Sequence, residues 1–125
     1  MTATDNELWG MPAADPIGAG DASFSEAYVP VGGSVSLRVM HWMPAAKPRL
    51  PPLLFVAGWI SVVQGWAEFL RAAVAHRPVF YVESREKVSA RIPREDLAVD
   101  QFTIRRSAED LIALCRALPL DMEQT

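Results

Sequence analysis

Apolar and polar residues follow different rhythms along the chain, and each rhythm predicts a different element. Within residues 34–42, Val35, Leu37, Val39 and His41 alternate with Ser36, Arg38, Met40 and Trp42, the period-two pattern of a strand. A second β-rich run at residues 24–31 precedes it, and Gly32-Gly33 between the two supplies the positive φ of a tight turn. The pair is expected to form an antiparallel hairpin with one face more exposed. Four prolines in residues 44–52 predict an extended surface connection. Leu53-Leu54-Phe55-Val56-Ala57 is an uninterrupted apolar run ended by Gly58, as in a strand buried on both faces of a parallel sheet. After a loop to Gly65, Trp66, Phe69, Leu70, Ala73 and Val74 recur at helical spacing, and Pro78 introduces a second apolar strand at residues 79–82. Strand, helix, strand is a βαβ unit, whose crossover implies parallel pairing. Residues 83–101 read as a charged loop. Ile104, Ala108, Leu111, Ile112, Cys115 and Leu118 then mark a helix, capped by Thr103 or by Ser107 with Asp110 as a capping box, and closed by Pro119.

Composition adds limits. With 125 residues, half of them hydrophobic, the chain fits one globular domain. A net charge of −3 is too small to argue for nucleic acid or a strongly charged partner. Residues 1–37 hold five acids and no Lys or Arg, whereas the remainder holds ten acids against twelve bases. The patternless stretch 1–23 is expected to be a loosely ordered leader ahead of a domain at residues 24–125. The single cysteine, Cys115, excludes an intramolecular disulfide and a cysteine-rich metal site. It sits on an apolar helical stripe and reads as core. There is no signal-peptide pattern and no run near the roughly 20 apolar residues of a membrane span. A cytoplasmic protein is expected, with no cofactor, no metal, no nucleic-acid partner and no membrane partner. The charged run Glu83, Arg85, Glu86 and Lys87 is expected to be solvated surface, the alternative being that its members pair across a loop or line a pocket mouth.

Three stretches carry a resemblance. Phe55-Val56-Ala57-Gly58-Trp59 is similar to an apolar strand running into His-Gly-x, with a helix beginning near a tryptophan, here Trp66. Tyr81-Val82-Glu83-Ser84-Arg85 is similar to a strand ending in Asp-x-Arg-Gly-x-Gly-x-Ser, and Ser107-Ala108-Glu109-Asp110-Leu111 to the Ala-x-Asp-Leu of a later helix. With the order of elements, they make the chain from about residue 28 onward resemble the N-terminal half of the α/β-hydrolase family. The departures are Ala57 in place of a histidine, and Glu86 and Val88 in place of two glycines.

The resemblance implies an α/β fold: an antiparallel hairpin followed by parallel strands with crossover helices. It implies a serine on a Gly-x-Ser-x-Gly elbow, a histidine and an acid, expected beyond Thr125, so that no catalytic residue lies in this chain. Gly32-Gly33-Ser34-Val35-Ser36 lacks the last glycine and precedes an antiparallel strand, so it is not that elbow; His41 and His76 read as structural. What the chain is expected to supply is one oxyanion-hole donor, the backbone N–H of Trp59, with Gly58 and Ile60 beside it in the substrate pocket. The complete protein would act on a small ester-like substrate, and this chain alone would be inactive. A non-catalytic small α/β binding protein is the alternative. In the family's sheet order the strand at residues 53–57 lies next to the nucleophile strand. Without that neighbour it is an uncharged edge, a template for self-association.

Overall fold

The computed structural model describes residues 14–120. Strands β1 (Ser23–Gly32), β2 (Val35–Met43), β3 (Leu53–Val56) and β4 (Val79–Val82) form one mixed sheet in the order β1-β2-β4-β3. Helix α1 (Ala67–Val74), entered through a 3-10 turn at Val63–Trp66, and helix α2 (Ile104–Ala117) complete an α/β architecture. The hairpin turns on Gly32 and Gly33 at φ of 127° and 56°, values that side-chain-bearing residues rarely adopt. β2 pairs antiparallel with β4, and β4 pairs parallel with β3, Tyr81 opposite Phe55. The βαβ unit is therefore present with its two strands side by side.

Two apolar clusters, one on each face, hold the sheet. Met40, Trp42, Val79 and Tyr81 pack with Leu70 and Val74 of α1, while Leu37, Val39, Phe80 and Val82 pack with Leu114 and Leu118 at α2. The hairpin has one face more exposed, as expected, at Glu26, Tyr28, Pro30, Ser36 and Arg38, and this second layer ends the alternation only farther along β2. From Val39 to Trp42, β2 is buried on both sides apart from half-buried His41, and the polar face survives only at Ser36 and Arg38. β3 differs in the other direction. It is half-buried, with Val56 exposed, because it lies at the sheet's edge.

The helices are rotated from their sequence stripes. Thr103 caps α2, its Oγ1 accepting the N–H of Arg106 at 3.1 Å. Ser107 lies inside the first turn and forms no capping box, since Asp110 is spent elsewhere. The buried line of α2 runs through Asp110, Leu114 and Leu118, leaving Ile104, Ala108 and Ile112 exposed and Leu111 and Cys115 half-covered. On α1, Leu70 and Val74 are buried, while Phe69 and, just ahead of the helix, Trp66 face outward beside Phe55 of β3, with ring centroids 5.6 and 4.9 Å from the Phe55 ring.

Part of the expected leader is anchored. Residues 1–13 lie outside the described residues, but at 14–22 Ile17 is buried in the α1-side cluster and its carbonyl accepts from Arg71 Nη1 at 2.9 Å. The Asp15 carboxylate accepts the N–H of Ile17, the N–H of Ala19 and the indole N–H of Trp42, at 2.9, 2.7 and 3.0 Å. Burial pushes this carboxyl up, yet the bonds from Trp42, Ile17, Ala19 and Gly18 outweigh it and hold the group below its ordinary 3.8. Its contribution is thus present above pH 3.8 and lost as pH falls through the lower folded value. Asp15→Ala leaves the fully buried Trp42 indole without its acceptor and is expected to lower stability by about 1–3 kcal/mol. A shifted Trp42 indole resonance in a two-dimensional NMR spectrum, with an earlier thermal melt, checks this.

Candidate functional site

In an open α/β sheet the natural place for a site is beyond the carboxyl ends of the parallel strands. Here that rim consists of the loop after β3 and the turns after β4. β3 gives way at Ala57, which is buried, to Gly58, Trp59 and Ile60, which are exposed; the chain is pinned again by buried Val63. Trp59 is 71 % and Ile60 97 % exposed, so both side chains project from the rim. Ser61 N–H closes a turn onto the Gly58 carbonyl at 3.1 Å.

A lysine holds this loop. Lys87 Nζ donates to the carbonyls of Gly58, Trp59 and Ser61, at 2.5, 2.8 and 2.9 Å. An ammonium has three N–H donors, and all three are accounted for. With those carbonyls turned to Lys87, the Trp59 N–H has no acceptor among the described residues.

The charged run behind the rim is not solvated surface, which corrects the sequence expectation for most of its members. Arg85 is 6 % exposed and forms a two-pronged pair with Asp110, Nε to Oδ2 and Nη2 to Oδ1 both at 2.7 Å, while its Nη1 donates to the Gln101 carbonyl at 3.1 Å. The hydrogen bond to Asp110 raises the guanidinium further above its ordinary value. Glu83 pairs with Arg38 at 3.0 Å, and Arg38 also holds Glu26 at 2.6 Å. Ser84 Oγ donates to Glu86 at 2.6 Å. The turns containing Glu86 and Val88 need no glycine, since no described residue other than glycine has a positive φ.

The remaining titratable groups lie away from the rim or are already committed. His41 stacks on Phe80, ring centroids 4.2 Å apart, near the amino end of β4. His76 follows α1 at the same end, its carbonyl accepting from Arg49 and Leu50. Burial, helped by the charge of Glu83, pushes the Tyr81 hydroxyl up to about 12, so it stays protonated at neutral pH. Ser34 is exposed at the hairpin turn. A polar cleft of about 310 Å³, lined by that turn with Arg85, Gln101, Arg106 and Asp110, takes no residue from the Gly58–Ser61 loop. Among the described residues no three His, Cys, Asp or Glu side chains gather where they could hold a metal ion. No described helix is long and apolar enough to cross a membrane.

Sequence reading singled out Gly58, Trp59 and Ile60, which the fold puts together on the rim. It missed Lys87 and the Arg85–Asp110 pair. Asp110 carried a signal, one acid on the i, i+4, i+8 line with Leu114 and Leu118. Lys87 carried none, because its partners are backbone carbonyls some 26 to 29 residues away. The architecture is that of a small mixed α/β protein. No protein-family model matches the chain, and no curated protein matches it.

Proposed function

We propose that this chain is the N-terminal segment of a cytoplasmic serine α/β-hydrolase acting on small ester or acyl substrates, in which it supplies one half of the oxyanion hole. The observation that carries the reading is the Arg85–Asp110 pair: two of the three stretches that resemble the family, Tyr81-Val82-Glu83-Ser84-Arg85 and Ser107-Ala108-Glu109-Asp110-Leu111, are joined by it in the interior. The unspent Trp59 N–H, on a loop fixed through three carbonyls by Lys87, adds to the support. In an acyl transfer, such a donor stabilises the oxygen that becomes negative in the tetrahedral intermediate, and losing one donor costs about 3 kcal/mol of transition-state stabilisation. Gly58 and Ile60 would flank the substrate. The nucleophile, the histidine and the acid come from beyond Thr125.

The test is fluorophosphonate labelling of the 125-residue chain and of a longer product reading on from Thr125, with mass spectrometry to locate the label. The short chain is expected to stay unlabelled and the long one to react at a serine beyond Thr125. If neither reacts, the hydrolase reading fails and a non-catalytic α/β binding protein takes its place.

A further inference from the structure

We propose that β3 is the seam of a twofold dimer of this 125-residue chain, with Phe55 on the dyad. The inference rests on the strand's own hydrogen-bonding pattern and concerns the chain without a further strand, since the catalytic reading gives the same edge to the nucleophile strand. Leu53 donates its N–H to the Pro78 carbonyl at 2.8 Å. By the alternation of a strand, Leu53 and Phe55 point their peptide groups toward β4, and Leu54 and Val56 point theirs out from the sheet. Among the described residues no strand pairs with those outward groups, and no charge or proline within Leu53–Val56 blunts the edge.

A strand that meets its own copy across a twofold axis normal to the sheet runs antiparallel to it, and each face continues into the same face of the partner. With Phe55 on the axis, Leu54 of one copy lies opposite Val56 of the other. Their outward N–H and C=O groups then exchange four hydrogen bonds, and the two Phe55 residues form the closer, non-bonded pair. Apolar surface meets apolar surface on both sides. Trp66 and Phe69 of both copies, which flank Phe55, close over the two Phe55 rings.

The area suffices for a stable pair. Leu50, Val56, Val62, Trp66 and Phe69, on β3 or in the segments that flank it in the chain and in α1, are between 38 and 60 % exposed. At about 150–250 Å² for a large side chain, they leave roughly 500 Å² of apolar surface open. That matches the non-polar share of the roughly 800 Å² each partner gives to a stable interface.

The experiment is sedimentation equilibrium of the full chain from about 1 to about 100 µM, paired with amide exchange at low and high concentration. A monomer–dimer equilibrium is expected, in which the Leu54 and Val56 amides gain protection as dimer forms while those of Leu53 and Phe55 are protected throughout. Val56→Lys on the strand and Phe69→Glu on α1 are each expected to weaken the dimer about tenfold or more, with the circular dichroism spectrum of the dilute protein unchanged. A chain that stays monomeric leaves the edge to a different strand and overturns the proposal. So does open-ended aggregation, a dimer without new Leu54 and Val56 protection, or a dimer indifferent to both substitutions.

Discussion

Asp110→Ala is expected to lower the unfolding free energy by about 3–5 kcal/mol, a large part of what a chain of this size has. The substitution leaves the Arg85 guanidinium in place, 6 % exposed, with a positive charge and two N–H groups that had no other acceptor. A charge cannot stay in an apolar interior unpaired, so Arg85 must either draw in water or swing out, and both undo the packing of α2 against Leu37 and Val82. Urea unfolding followed by circular dichroism reads the loss. The double replacement Arg85→Met with Asp110→Leu is expected to recover most of it, because two apolar side chains of similar volume carry no desolvation penalty. A double variant as unstable as the single one would mean that the pair contributes through Gln101 and the turn geometry rather than through its charge balance.

Acid is expected to destabilise the fold through His41, with the main loss between pH 6.5 and 4. Burial holds this imidazole down to about 4, against 6.5 when free. Below pH 6.5 the unfolded chain therefore takes up a proton that the folded chain refuses. The stabilisation is complete above pH 6.5, declines as pH falls toward the folded value, and levels off below it. A shift of that size corresponds to about 3 kcal/mol by pH 4. His41→Phe keeps a ring against Phe80 and removes the titration. Chemical denaturation of both proteins across this range should give stabilities whose difference changes sharply with pH; parallel curves would place the acid sensitivity elsewhere. Asp15 contributes only at lower pH, since its folded value lies below 3.8.

Both effects come from polar groups inside the protein, and there the sequence was least informative. An arginine and a glutamate within Glu83-Ser84-Arg85-Glu86-Lys87 look alike on paper. Only the return of α2 across the end of the sheet gives Arg85 a buried carboxylate, and only the course of the chain after β3 gives Lys87 three carbonyls. The hairpin, the prolines of the connection, the two short apolar strands and the intervening helix were legible because each is set by neighbouring residues: glycine at a turn of positive φ, alternation in β2, helical spacing in α1.

What sequence by itself determined is therefore the order and kind of the elements and the position of Gly58, Trp59 and Ile60 just after a short apolar strand. The tertiary structure decided which face of each helix is covered, that β2 is enclosed on both sides only toward its end, that Asp15 and Ile17 are tied to the body, and that Lys87 fixes the rim. The physical reason is range. Periodicity and turn chemistry act over a few residues and are written locally. Burial and charge pairing depend on which distant segments meet, as Arg85 meets Asp110 across 25 residues and Asp15 meets Trp42 across 27.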